Sequence, residues 1–286
     1  MSLRRFLVVG DEPIRESLAG LLEHHHAALD CVSHPGDALA HLRSAPYDLA
    51  ITGYGTNGAD PLKMLRRFHT IRPDLKVIVT GDASPSRALE AIRSRAYGYM
   101  HLPFSSLHLG EMVQQALDSA AWRDDIRLTS ARLEWVTLDI QCKLEAAERA
   151  THLARELAAD LDPNAAEDFT SAFRELLLNG IEHGGKSNPR KRVRVSLLRL
   201  AGSLVVQIRD PGKGFSFEKI QHAAVSNPDD SPTRHVEIRA EQGQRPGGFG
   251  ILMARNLVDQ LLYNERGNEV IFVKKFTRFP PSSPTT

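Results

Sequence analysis

Residues 175–183 read Glu-Leu-Leu-Leu-Asn-Gly-Ile-Glu-His and set Glu175, Asn179 and His183 at i, i+4 and i+8. On a helix these three side chains project from one face, about one turn apart. A carboxylate, a neutral amide oxygen and an imidazole in a row suit a hydrated magnesium ion carrying a triphosphate. Asp210-Pro211-Gly212-Lys213-Gly214-Phe215 follows directly on an alternating strand. A carboxylate at a strand end can accept a hydrogen bond from an exocyclic amine, and the glycines allow close backbone approach to a flat ring. Gly247-Gly248-Phe249-Gly250-Ile251 opens onto a helical pattern. Glycines at that position expose backbone N–H groups which, with the helix dipole, form an anion site. Singly, each block has an ordinary equivalent: a polar helix face, a Asp-Pro-Gly turn, a glycine loop. No GxxxxGK[ST] sequence occurs, and no βαβ unit surrounds the last block, so neither a P-loop nor a dinucleotide fingerprint is present.

The elements that must position these blocks fall into two series. Up to residue 104, short apolar runs alternate with amphipathic helices. The strands are FLVVG (6–10), LDCVS, YDLAITG (47–53), LKVIVTG (75–81) and AYGYMHL (96–102). The intervening helices are expected at 14–22, 37–42, 61–68 and 86–95. Repeated βα units imply a doubly wound, five-stranded parallel sheet with helices on both faces. Leu109, Met112, Val113, Ala116, Leu117 and Ala120 mark a helix with one apolar stripe, extending as a connector through Ile126. That stripe packs either on the sheet or against a second copy of the chain.

From Leu133 the pattern changes. EWVTLDI alternates as a strand, 144–161 is a long amphipathic helix broken at Asp162-Pro163, and 166–183 is the helix bearing the first block. Gly184-Gly185 is expected to stop it, as glycine does at C′. Strands at 192–200 and 204–210 follow, then a long polar segment at 216–246, a helix at 250–262 and a last strand, EVIFVKKF. The organisation is an N-terminal domain at 1–122, a helical linker at 123–132, a second domain at 133–278 and a disordered tail at 279–286.

Composition narrows the function classes. The chain has 286 residues, room for about two domains with cores of their own. A net charge of +1 gives no global electrostatic case for nucleic acid or an anionic membrane, and the basic run from Lys186 to Arg194 reads as a solvated edge. No apolar run approaches the roughly 18 residues needed to span a bilayer, and the apolar part of MSLRRFLVVG is too short for a signal peptide. Cys31 and Cys142 lie far apart with no metal spacing, which fits a reduced, cytoplasmic setting. His24-His25-His26 has no cysteine or acidic cluster beside it to make a metal site.

In order, ExxxN on a helix, DxGxGF after a strand, a long variable segment and GGFGI at a helix start resemble the ATP-binding fold of the GHKL superfamily. Within it, RELLLNGIEHGG, RDPGKGF and GGFGILMARNLVDQLLYNERGNEVIFVKK most resemble the anti-sigma-factor serine kinases, over residues 133–276. The resemblance implies an α/β sandwich with helices on one face of a mixed sheet, and ATP and Mg²⁺ as cofactors. It implies Asn179 as the Mg²⁺ ligand, Asp210 as the adenine reader and Glu175 as the general base. Gly212, Gly214, Gly247, Gly248 and Gly250 would line the nucleotide. His183 either contacts phosphate or the lid, or only ends its helix. Residues 216–246 would be the lid, from which one of Arg234, Arg239 or Arg245 could reach the phosphates.

The first domain resembles the receiver domains of response regulators through FLVVGDEPIRESL, YDLAITGYGTNGADPLKMLR, VIVTGDAS and YGYMHLPF. Against that family's pattern, the phosphoacceptor aspartate falls at Gly53, the lysine at Leu102 and the first metal-binding acid at Gly10. Asp11, Glu12, Thr80 and Tyr99 remain of the usual set. Glycine carries no nucleophile, so this is a pseudo-receiver, suited to docking or dimerisation. His152 lacks the acidic residue that normally follows a phosphoaccepting histidine, so a complete sensor histidine kinase is not expected.

Together the resemblances imply an ATP-dependent protein serine/threonine kinase that phosphorylates a STAS-domain antagonist. The alternatives are a nucleotide-binding protein that sequesters a sigma factor or STAS protein without turnover, and a histidine-kinase catalytic domain acting in trans. Neither nucleic acid nor membrane is expected as a partner. A homodimer is open through the 107–126 helix, the exposed sheet or the pseudo-receiver.

Overall fold

The computed structural model describes residues 4–10, 27–53, 59–119, 122–214 and 250–277, which fall into two compact units, Met1–Arg123 and Asp124–Thr286. The helix expected at 14–22, the three histidines at 24–26, Asp11, Glu12, Gly247, Gly248, the 216–246 segment and the tail from 279 lie outside the described residues.

In the first unit, β1 (Arg4–Val9), β2 (Ala27–Val32), β3 (Leu49–Thr52), β4 (Lys76–Gly81) and β5 (Gly98–His101) form a parallel sheet in the order β2-β1-β3-β4-β5. Val8 lies between Cys31 and Ile51, and Ile51 pairs with Ile78. Helices α1 (Pro35–Ser44), α2 (Pro61–Ile71), α3 (Pro85–Arg93) and α4 (Ser106–Asp118) connect or follow the strands. Phe6 to Val9 and Leu49 to Ile51 are buried at every position, as both faces being covered requires. The α4 stripe settles on the sheet: Leu109, Met112, Val113 and Ala116 share a core with Phe6, Ile51, Ile78 and Tyr97. At the C-terminal ends of the strands, Gly10 follows β1, Gly53 follows β3 and Leu102 follows β5. Tyr99 there donates its hydroxyl to the Asp82 carbonyl at 2.8 Å.

The second unit is a six-stranded sheet in the order β10-β11-β9-β8-β7-β6, with every pair antiparallel rather than mixed. Its strands are β6 (Ile126–Arg132), β7 (Trp135–Gln141), β8 (Arg192–Arg199), β9 (Ser203–Arg209), β10 (Gln260–Tyr263) and β11 (Glu269–Lys275). Helices α5 (Leu144–Leu157) and α6 (Pro163–Asn179) and the short α7 (Gly250–Leu257) complete the unit. Alternate residues Val136, Leu138 and Ile140, with Val193, Val195 and Leu197, point into one buried face. Phe169 of α6 anchors the helix layer there, its ring 5.9 Å from Phe272 of β11 and 6.2 Å from Phe173.

Two expected elements are corrected. Residues 123–132 are not a helical linker: α4 ends at Asp118, and Ile126 to Arg132 is an edge strand paired with β7. The helix expected at 250–262 stops at Leu257, and Gln260–Tyr263 forms a hairpin with β11. Both stretches adjoin a helical pattern, and cross-strand pairing decides the boundary.

Phe169→Ala removes the ring that joins α6 to the sheet. It should lower the stability of the second unit by about 3–5 kcal/mol, measured by urea denaturation of the full chain.

Candidate functional site

The site is built on α6. Asp162 starts this helix by accepting the Ala165 N–H at 2.9 Å, with Pro163 in the first turn where no N–H is needed. The helix buries Phe169, Thr170, Phe173, Leu176 and Leu177. That leaves Glu175 and Asn179, four residues apart, half-buried on another face. Beyond Asn179 the α-helical spacing ends. Gly180–Gly184 is a π-helical turn, closed by the Gly185 N–H donating to the Gly180 carbonyl at 2.8 Å. His183 lies exposed on this wider turn.

Gly184 and Gly185 do not stop the helix by adopting a left-handed conformation. Lys186 (φ 60°) and Ser187 (φ 48°) take that role, while Gly185 stays right-handed. The glycines are there for space. A Cβ on Gly184 would collide with the Asp210 carboxylate, and one on Gly185 with the Cys142 thiol. A Cβ on Gly180 would touch the Asp210 Cβ at 3.5 Å. The end of this helix is thus pressed against the end of β9.

Asp210 leaves β9 with its own N–H donating to the Asn268 carbonyl at 3.0 Å, while its Oδ1 accepts the Gly212 N–H at 2.7 Å. Gly214 has φ +81°, and a side chain there would strike the Arg266 carbonyl. Burial pushes the Asp210 carboxyl above the ordinary aspartate range, opposed by the Gly212 N–H and the Arg266 charge. Burial likewise raises the Tyr263 hydroxyl, with the Asp210 charge adding to it. Burial also raises the Cys142 thiol. Asp210 is thus partly desolvated, and its carboxylate can accept from a donor brought by a ligand.

Gly250 opens α7 against the other end of the site. A Cβ there would lie 2.7 Å from Glu175 Oε2 and 3.6 Å from Asn179 Nδ2. Lys274 of β11 fixes this helix from behind, its ammonium donating to the Leu257 carbonyl at 2.9 Å and to Asp168 of α6 at 2.7 Å. Glu175 Oε1 lies 3.8 Å from the Arg174 guanidinium.

A metal cage made by the protein is not present among the described residues: they hold no group of three or more His, Cys, Asp or Glu side chains able to bind an ion. Magnesium asks for less, because it keeps waters and takes most remaining ligands from phosphates. Asn179 fits that demand. Its Nδ2 is buried with no hydrogen-bond partner among the described residues, and a half-turn of the amide puts oxygen in the same place.

The structure thus brings Glu175, Asn179 and Gly250 together, and Asp210, Gly212 and Gly214 to the far end of the same helical segment. The β10–β11 turn was missing from the sequence reading. Asn264 Oδ1 accepts the N–H groups of Asn268 and Glu269 at 3.1 and 3.2 Å, and Arg266 donates to the Lys213 carbonyl at 3.2 Å. This turn holds the loop after Asp210 in place. Its signal was Asn264-Glu-Arg-Gly-Asn268, a run of turn formers between two apolar stretches.

Residues 140–274 match the protein family described as histidine kinase-like ATPase domain. A serine-protein kinase, RsbW, from Oceanobacillus iheyensis is 24% identical over 110 residues, covering 38% of this chain and 65% of that protein. The C4-dicarboxylate transport transcriptional regulatory protein DctD of Rhizobium meliloti is 28% identical over 112 residues, covering 39% of this chain and 24% of that protein. This chain therefore spans under two thirds of either relative. A solved CheY-like response regulator receiver domain from Methanospirillum hungatei is 25% identical, with a TM-score of 0.38 over 41% of this chain and 95% of that one.

Because burial raises the Asp210 carboxyl, the folded protein holds that proton to higher pH than the unfolded chain. Stability from this group is therefore greatest below the ordinary aspartate range and declines as pH rises from there to the folded value. Asp210→Asn should remove that decline without lowering the melting temperature at neutral pH, since the amide oxygen still accepts from Gly212. Denaturation midpoints of both forms across acidic to neutral pH check it.

Proposed function

We propose that this chain, whose residues 140–274 are a histidine kinase-like ATPase domain, is an ATP-dependent protein serine/threonine kinase of the partner-switching type. Its substrate in this reading is a STAS-domain antagonist. The observation that carries the reading is the placement of two chemically different ends along one helix. The half-buried carboxylate of Asp210 sits at Gly184, and the start of α7 sits at Glu175 and Asn179. Gly250 lies against Glu175 and Asn179 on the last turns of the α-helix, and Asp210 against Gly180 and Gly184 on the π-helical turn that follows, so the two ends occupy successive stretches of one helical segment.

Asp210 accepts the exocyclic amine of adenine, and Gly212 and Gly214 let the backbone approach the ring. Gly250, with Gly247 and Gly248 before it, offers N–H groups to the phosphates. Asn179 would hold Mg²⁺ through its amide oxygen, and the bound ion would supply charge neutralisation at the phosphate oxygens. Glu175 takes the proton of the acceptor hydroxyl. The acceptor oxygen then bonds to the γ-phosphorus, and the bond from that phosphorus to the bridging oxygen breaks, leaving ADP with the electron pair. The printed name of the Oceanobacillus relative, serine-protein kinase, supports serine chemistry. The receiver-like unit, with Gly53 after β3, serves as a docking or dimerisation module that takes no phosphate.

Incubation of the full chain with labelled ATP and a STAS-domain protein should yield acid-stable phosphate on serine or threonine. Glu175→Gln should lower transfer by about a hundredfold or more with ATP affinity little changed. Transfer undiminished in that variant would remove Glu175 as base. Acid-labile phosphate would point to a histidine acceptor, and ATP binding without transfer to a sequestering protein.

A further inference from the structure

Glu175 has a neighbour whose arrangement has no counterpart in the three sequence blocks. Arg174 precedes it on α6, and successive helical residues do not normally face each other. Yet the Arg174 guanidinium reaches to 3.8 Å from Glu175 Oε1. Glu148, on α5, draws it there. Arg174 Nε donates to Glu148 Oε2 at 3.2 Å and its Nη2 to Glu148 Oε1 at 2.5 Å. A two-point fork of this kind fixes the plane of the guanidinium as well as its position. The Glu148 side chain is the more buried partner, 19% exposed against 42% for Arg174, so the anchor sits on the protein side.

The two oxygens of Glu175 are thereby made different. Oε1 faces the clamped guanidinium, while Oε2 faces Gly250, at the start of α7. We propose that Arg174, held by Glu148, is a positioning residue. It keeps Glu175 Oε2 turned toward the phosphate cradle and offsets the Glu175 charge so that a γ-phosphate can be received beside it. This inference rests on the ATP site proposed above. It concerns a problem that any such site must solve, because a general base and a triphosphate are both anionic. A full carboxylate charge at close range would disfavour the nucleotide bearing one phosphate more.

The test is the ratio of affinities for ATP and ADP, each titrated with Mg²⁺ into the full-length protein and its variants. Arg174→Met should raise Kd for ATP relative to ADP by about three- to tenfold, the size of one screened charge interaction. Arg174→Lys, which keeps the charge without the fork, should recover much of that ratio. Arg174→Met combined with Glu175→Gln should abolish the shift, since the charge to be offset is gone. A purely structural salt bridge would instead lower the melting temperature and weaken ATP and ADP alike. Equal weakening, an unchanged ratio, or a shift that persists in the double variant overturns the proposal. ADP formation under single turnover separates this from the base assignment. If Glu175→Gln forms ADP as fast as the wild type, the assignment of Glu175 fails, whereas the affinity ratio still reports on Arg174.

Discussion

A half-buried carboxylate is set against the end of one helix, and that helix end is shaped around it. Asp210 occupies the space that a side chain at Gly184 would fill, lies in contact with Gly180, and accepts from Gly212. Burial raises its pKa, so an ionised Asp210 costs the empty protein stability. Several neighbouring features follow from that packing. The α6 helix ends in a π-helical turn next to β9, the left-handed residues fall at Lys186 and Ser187, and the β10–β11 turn braces the loop from outside.

The two halves of the chain treat chemistry differently. In the second unit the acid, the amide and the glycine at a helix start converge within contact distance. In the first, the strand ends carry Gly10, Gly53 and Leu102, none of which offers a carboxylate or an ammonium. The parallel sheet there is packed throughout, with α4 closing its core.

Much of this was legible from residue order. The parallel sheet followed from apolar runs such as Phe6–Val9, which only a doubly covered sheet buries entirely. The pairing of Glu175 with Asn179 followed from helical spacing. What was not legible depended on contacts distant in sequence. Gly184 and Gly185 look like a helix stop, yet their role is set by Asp210 and Cys142. Residues 126–132 continue a helical stretch in sequence and become a strand because β7 offers an unpaired edge. Arg174 reads as one more surface cation until Glu148, twenty-six residues earlier, fixes it beside Glu175. Local pattern gave the elements and the polar face; tertiary packing gave each glycine and charge its purpose.

The most direct test is nucleotide selectivity in direct titration of the full-length protein with Mg–ATP and Mg–GTP. In the proposed site an ionised Asp210 would accept from the amino group of adenine and would meet a second acceptor in the carbonyl oxygen of guanine. Saturable binding of one ATP per chain, with GTP weaker by at least about tenfold, is the result this site requires. Equal affinity for the two purines, or binding of neither, would contradict it.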